Sequence, residues 1–271
     1  MSDITIRLST KDELIPAVPP PGGAPPRSAP TTQIMAEVVQ WPGNVFRLWA
    51  PEIIGTLWQN WEGGGFHQNF FPTSDGGLVW THEGPGWSVD THVHAKGHTL
   101  ALTTRVTNLG DRDLPDVAVV NCVQFGLAPE FACSDFSRIY IRIAGDWSSL
   151  KSLEPKSDYP HYCSVSSAHD GNVGWGGDMS HLFEATKADH PLMVCLSKDV
   201  RRAVATASKD YEFLFHNKAN PELWCIHSSQ KPATVKPGGE ALFEQSIYFV
   251  EGGIEECVHA FESDRTFPNT E

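Results

Sequence analysis

The chain has 271 residues, of which 40% are hydrophobic, and its 33 acidic against 20 basic residues give a formal net charge of −13. That balance, with few basic patches, argues against nucleic acid or an anionic membrane surface as a partner. No apolar run approaches a membrane span, and the length admits one large all-β domain or two small ones.

The N-terminus, Met-Ser-Asp-Ile-Thr-Ile-Arg, has no apolar core of a signal peptide. Residues 14–32 then carry Pro16, Pro19, Pro20, Pro21, Pro25, Pro26 and Pro30, with Gly22 and Gly23 between them. Proline cannot donate to a ladder and favours extended polyproline conformation, so residues 1–32 are expected to be a strap, tail or linker. The compact domain is expected over 33–271 as a single β-sandwich.

From there the pattern is one of strands. Phe46–Trp49, Leu78–Trp80, Trp87–His94, Thr99–Val106, Val117–Phe125, Arg138–Ile143, Leu192–Leu196, Ala203–Ala207, Tyr211–His216, Trp224–His227 and Ala241–Val250 are short, β-rich and bounded by turn residues. Ala95-Lys-Gly97 is a hairpin turn, and Asn108–Asp111 and Lys236–Gly239 are further turns. Helical spacing comes only at the end, where Ile254, Cys257, Val258 and Phe261 follow i, i+3, i+4, i+7 after Gly252-Gly253. This distribution predicts an all-β, large antiparallel β-sandwich with a short C-terminal helix. Residues 144–191 interrupt it with glycines and four histidines, either a lid or binding loop or a surface excursion. The six cysteines show no CxxC pair, which fits reduced thiols in a cytoplasmic protein; several sit within apolar runs, where inert core packing is expected.

The densest chemistry lies between Gly86 and His98. Strand alternation puts Ser88, Asp90, His92 and His94 on one face, and Trp87, Val89, Thr91 and Val93 on the other. The spacing Gly86-x5-His92-x-His94-x3-His98 resembles the first half of the cupin metal motif. A histidine stands in the glutamate place, the final glycine is missing, and no histidine follows Pro237-Gly-Gly239. His-x-His on a strand is a bidentate start for zinc, manganese or iron and needs one or two more ligands, which His67, His98 or Asp90 could supply. The other reading is a hydrogen-bonded or solvated pair.

A second set of segments covers about 200 residues: Gly64-Gly-Phe-His67, Leu78-Val-Trp80, Trp87-Ser-Val89, Leu100–Asn108 and Lys236–Leu242. In this order they resemble the galactose mutarotase-like sugar enzymes, which implies the same large sandwich and a sugar substrate. The resemblance places the family's catalytic histidine at Asn121-Cys-Val-Gln-Phe125 and its glutamate at His227-Ser-Ser-Gln230, and neither residue is there. It therefore implies the sandwich but not plain mutarotation, with Gln124 as a substrate-binding residue.

Arg138-Ile-Tyr-Ile-Arg-Ile143 alternates, with Arg138, Tyr140 and Arg142 on one face. Paired guanidiniums can clamp a carboxylate while a neighbouring tyrosine moves a proton; the alternative is an ordinary amphipathic strand. Of the nine tryptophans, Trp61 and Trp175 stand among glycines and polar residues as candidate sugar-stacking faces.

Three functions are in play. One is a carbohydrate lyase or isomerase without cofactor, with His67, His92, His94 and Tyr140 catalytic and Trp61, Asp90, Gln124, Arg138, Arg142 and Trp175 binding. Another is a cupin-type metal enzyme at His67, His92 and His94. The third is a non-catalytic carbohydrate-binding sandwich. A small molecule or oligosaccharide is the expected partner, and self-association is compatible with all three.

Overall fold

The computed structural model describes residues 3–10, 33–56, 59–60, 68–153, 161–165, 187–217 and 224–264. In chain order its strands are β1 (Ile4–Leu8), β2 (Ile34–Val38), β3 (Val45–Thr56), β4 (Gln59–Asn60), β5 (Phe71–Pro72), β6 (Leu78–Gly84), β7 (Trp87–Lys96), β8 (Thr99–Asn108) and β9 (Leu114–Leu127). They continue as β10 (Ile139–Ile143), β11 (Asp146–Ser149), β12 (His161–Val165), β13 (Met193–Leu196), β14 (Arg202–Ser208), β15 (Tyr211–Asn217), β16 (Cys225–Gln230), β17 (Ala233–Val235) and β18 (Glu240–Glu251). The helix α1 (Ile254–Glu262) follows. Among these elements no helix is long and apolar enough to cross a membrane.

The strands form two antiparallel sheets. The first runs β1-β2-β3-β9-β16-β15-β12, with β4 on β3 and β17 on β9; the second runs β11-β10-β13-β14-β18-β8-β7-β6-β5. The large antiparallel sandwich anticipated from the strand pattern is the architecture found. Its core is made by the alternation itself: Phe46, Leu48, Val123, Phe125 and Ile226 of the first sheet meet Val89, Val93, Leu102, Val106, Ile247 and Phe249 of the second. Phe46 sits 5.0 Å from Phe249 and 5.2 Å from Phe131, and Trp41 lies 5.5 Å from Phe131. This aromatic knot joins the two layers.

The helix covers the other side of the second sheet. Cys257 and Ala260 are buried against Leu192, Val194, Ala203, Ala205 and Tyr248. The alanines on β14 let the helix approach closely. The Gly253 N–H donates to Glu256 Oε2 at 2.6 Å, closing the first turn after the glycine break.

Two expectations need correcting. The compact fold starts before Gln33, because Ile4–Leu8 pairs with Ile34–Val38 as an edge strand. Ile4, Ile6 and Leu8 pack on the core, which is what the alternation Ile-Thr-Ile-Arg-Leu provides. The proline-rich residues 11–32 lie outside the described residues. The interruption at 144–191 is not one loop: β11 extends the second sheet beside β10, and β12 pairs with β15 in the first.

Candidate functional site

The β7 alternation is as read: Trp87, Val89, Thr91 and Val93 are buried, while Ser88, Asp90, His92 and His94 face outward and are partly exposed. His92 Nε2 lies 2.7 Å from Asp90 Oδ1, and His94 Nδ1 lies 3.5 Å from Asp75 Oδ2. The two rings stand parallel, 6.1 Å apart. Gly77 makes room for the His94 ring, since a Cβ there would meet its Nδ1 at 2.6 Å. Each histidine thus has a carboxylate partner on an open surface. The expected third member, His67, lies outside the described residues, as do Trp61 and Trp175.

The arginine row does not join that surface. β13, β14, β18 and β8 stand between β10 and β7, a separation of about 24 Å at the usual strand spacing. Each member also has other work. Arg138 donates Nη1 to the carbonyls of Glu130 and Leu196 at 3.0 and 2.6 Å, and Nη2 to that of Ala132. Arg142 Nε donates to Asp189 Oδ1 at 2.8 Å. Tyr140 packs into the cluster under α1. A guanidinium already spent on backbone carbonyls is a structural clamp, which a strand pattern alone cannot distinguish from a substrate clamp.

Polar groups converge elsewhere, on the face of the first sheet turned away from the core. Register sets two rows across β3, β9 and β16. Arg47 pairs with Gln124, and Gln124 with Cys225. One step along, Trp49 pairs with Cys122, and continuing the β9–β16 register places His227 opposite Cys122. These are the two segments where the sugar-enzyme resemblance found no catalytic pair. Cys122 and Cys225 are buried, yet they alternate with the core residues Val123 and Ile226 and so point away from the core. Inert packing fits Cys133, Cys195 and Cys257, which belong to the core clusters, but not this pair.

The residue that completes the group is Glu52. Between the pairs Trp49–Cys122 and Ile53–Val120, β3 has Ala50, Pro51 and Glu52 against only Asn121 on β9. Such a bulge re-aims a side chain, and proline, lacking an N–H, suits it. Glu52 Oε2 lies 3.0 Å from His227 Nε2, with the imidazole 2% and the carboxyl 26% exposed. On the other side of the ring, Nδ1 is 3.3 Å from the Phe215 carbonyl. Arg47 Nη1 lies 3.5 Å from Gln124 Oε1. The buried Trp49 Nε1–H has no hydrogen-bond partner among the described residues.

Electrostatics mark the same spot. Burial opposes a charged His227, and the Glu52 carboxylate 3.0 Å away favours it. Burial, and then the neighbouring Cys225, push the Cys122 thiol well up. A buried ion pair with an exposed carboxylate edge can take and return a proton. No local pattern marks Glu52 in the sequence; His227 could have been found as the middle of a His-containing strand aligned to a catalytic position.

A cavity of about 310 Å³, lined by His98, Glu251, Glu256 and His259 among others, lies between α1 and the second sheet. It belongs to the opposite layer from Glu52 and His227.

No protein-family model matches the chain, and no curated protein matches it. Solved structures do. The Slr1438 protein from Synechocystis sp. PCC 6803 is 13% identical, with 91% of this chain and 92% of that chain covered at a TM-score of 0.52. A galactose mutarotase related enzyme from Lactobacillus acidophilus is 9% identical, with coverages of 82% and 95% and a TM-score of 0.48. A galactose mutarotase-like protein from Clostridium acetobutylicum is 10% identical, with coverages of 92% and 99% and a TM-score of 0.47. At these identities the likeness is one of fold.

Proposed function

We propose that this mutarotase-like sandwich is a sugar-active enzyme, an isomerase, epimerase or lyase, whose proton transfer is carried by Glu52 on the outer face of the first sheet. The observation that carries the reading is the 3.0 Å Glu52–His227 pair, one partner buried and the other partly exposed. Glu52 takes the proton from the sugar, and His227 behind it holds the carboxyl group in place. Arg47, Gln124 and the Trp49 indole N–H, which has no hydrogen-bond partner among the described residues, supply donors and acceptors for hydroxyl or carboxylate groups. The sugar class is supported by the segments that resemble the mutarotase-like enzymes. A cytoplasmic setting, with thiols kept reduced, fits the two cysteines beside the pair.

The test is a panel of free aldoses, ketoses and sugar acids followed by NMR in deuterium oxide. Interconversion with deuterium entering at one carbon is the expected result for an isomerase or epimerase; a new double bond would mark a lyase. Glu52→Gln is expected to lower kcat about 100-fold or more, with circular dichroism unchanged. Full activity in Glu52→Gln, or a loss confined to His92→Ala and His94→Ala, would move the chemistry to β7. Glycan binding without turnover of any panel sugar would leave a carbohydrate-binding sandwich.

A further inference from the structure

We propose that Cys122, Cys225 and His227 form a zinc site on the outer face of the first sheet, beside Glu52. Their ligand atoms all lie within 4.8 Å of one another, and all three residues are buried. Bond lengths of about 2.3 Å to sulfur and 2.0 Å to nitrogen put tetrahedral ligands roughly 3.5–3.8 Å apart. Closing the present arrangement onto an ion therefore takes side-chain shifts of about 1 Å, not backbone movement.

The strand geometry explains why the three meet. Cys225 and His227 are i, i+2 on β16 and share a face, and Cys122 comes from the neighbouring β9 through the register Cys225–Gln124 and Ile226–Val123. The imidazole is already oriented as a ligand. Nδ1 faces the Phe215 carbonyl at 3.3 Å and can donate its proton there, which leaves Nε2 for a metal. Two thiolates and an imidazole are a soft to borderline set, suited to zinc rather than magnesium or calcium. Three protein ligands leave a fourth position for water or substrate. Glu52 Oε2, 3.0 Å from Nε2, lies next to it. With zinc bound, the ion takes the Nε2 position that Glu52 Oε2 now faces at 3.0 Å. A sugar oxygen at the fourth position would then be polarised beside the carboxylate that accepts its proton.

This inference rests on the Glu52–His227 face being the working site, as the sugar reading does, but its test needs no sugar. The full chain is stripped with a chelator in a phosphine-reduced buffer and titrated with cobalt and then zinc. The expected result is one cobalt per chain with a sulfur-to-cobalt charge-transfer band that zinc abolishes. Cys122→Ser and Cys225→Ser should each bind at least 10-fold more weakly, and the His92→Ala, His94→Ala double variant should bind as the parent does. Should the cysteine variants fail to fold, X-ray absorption of the zinc-loaded parent decides, with two sulfur ligands expected. Cobalt bound without a sulfur band, a sulfur count of zero or four, or binding lost only in the His92→Ala, His94→Ala variant would overturn the proposal. Sulfur-bound zinc with no sugar turned over would sink the sugar reading alone. Turnover dependent on Glu52 but indifferent to chelation, with no sulfur-bound metal, would sink the zinc site alone.

Discussion

At the scale of single residues, burial decides what a histidine can do. His190 is buried, with Trp147 and Phe261 edge-on to its ring at 5.4 and 5.3 Å. Its Nδ1 accepts the Leu192 N–H at 3.3 Å. Burial first, and then the nearby Arg142 charge, depress its pKa to about 4, with Asp189 acting in the opposite sense. The folded protein therefore holds this ring neutral over a range where the unfolded chain, titrating near 6.5, binds a proton. Stability tied to His190 is present above about pH 6.5 and falls as the pH drops towards 4, by on the order of 3 kcal/mol in total. Melting curves across that window should show the decline, and His190→Asn should flatten it. An unchanged slope in that variant would assign the acid sensitivity to other groups. The exposed His92 and His94, each beside a carboxylate, have no such burial.

Elements are held by residues that a sequence pattern presents as ordinary. Asn108 closes the Leu100–Asn108 strand, one of the segments that resembles the sugar enzymes. Its Nδ2 donates to the Arg112 and Val235 carbonyls at 2.7 and 2.8 Å, and its Oδ1 accepts the Gly110 N–H at 2.9 Å. The backbone completes the tie, since Gly238 N–H donates to the Asn108 carbonyl at 3.0 Å. One buried amide thus pins both the β8–β9 turn and the β17–β18 turn. Asn108→Ala removes the three side-chain bonds and orphans buried backbone groups, for an expected loss of about 3 kcal/mol in denaturant titration. A cost within experimental error would mean that water replaces the side chain. Period-two reading made the faces of β7 legible. It did not reveal the β3 bulge, because Ala50-Pro51-Glu52 carries no alternation to read.

Across the whole molecule, the two sheets are coupled by the aromatic knot. Phe46 and Phe125 come from the first sheet and Phe249 from the second, with Trp41 and Phe131 between strands. Phe46→Ala leaves a cavity where both layers meet and is expected to cost about 4 kcal/mol. Tryptophan fluorescence and far-ultraviolet circular dichroism should lose their signals in one coincident transition. Separate transitions for the two probes would show that the layers unfold independently.

Much of this protein is set by its sequence alone. Alternating apolar positions broken by turn residues determine the strands, the core faces and the terminal helix, since those depend on local periodicity. The cluster of Glu52, Cys122, Cys225 and His227 spans about 175 residues of chain, and only tertiary structure assembled it. Strand register across β3, β9 and β16 and one bulge bring those groups together. In the second sheet, strand order keeps the arginine row and the β7 histidines apart, although each looked complete in one dimension. Periodicity says which face a side chain takes; pairing order says what it meets there.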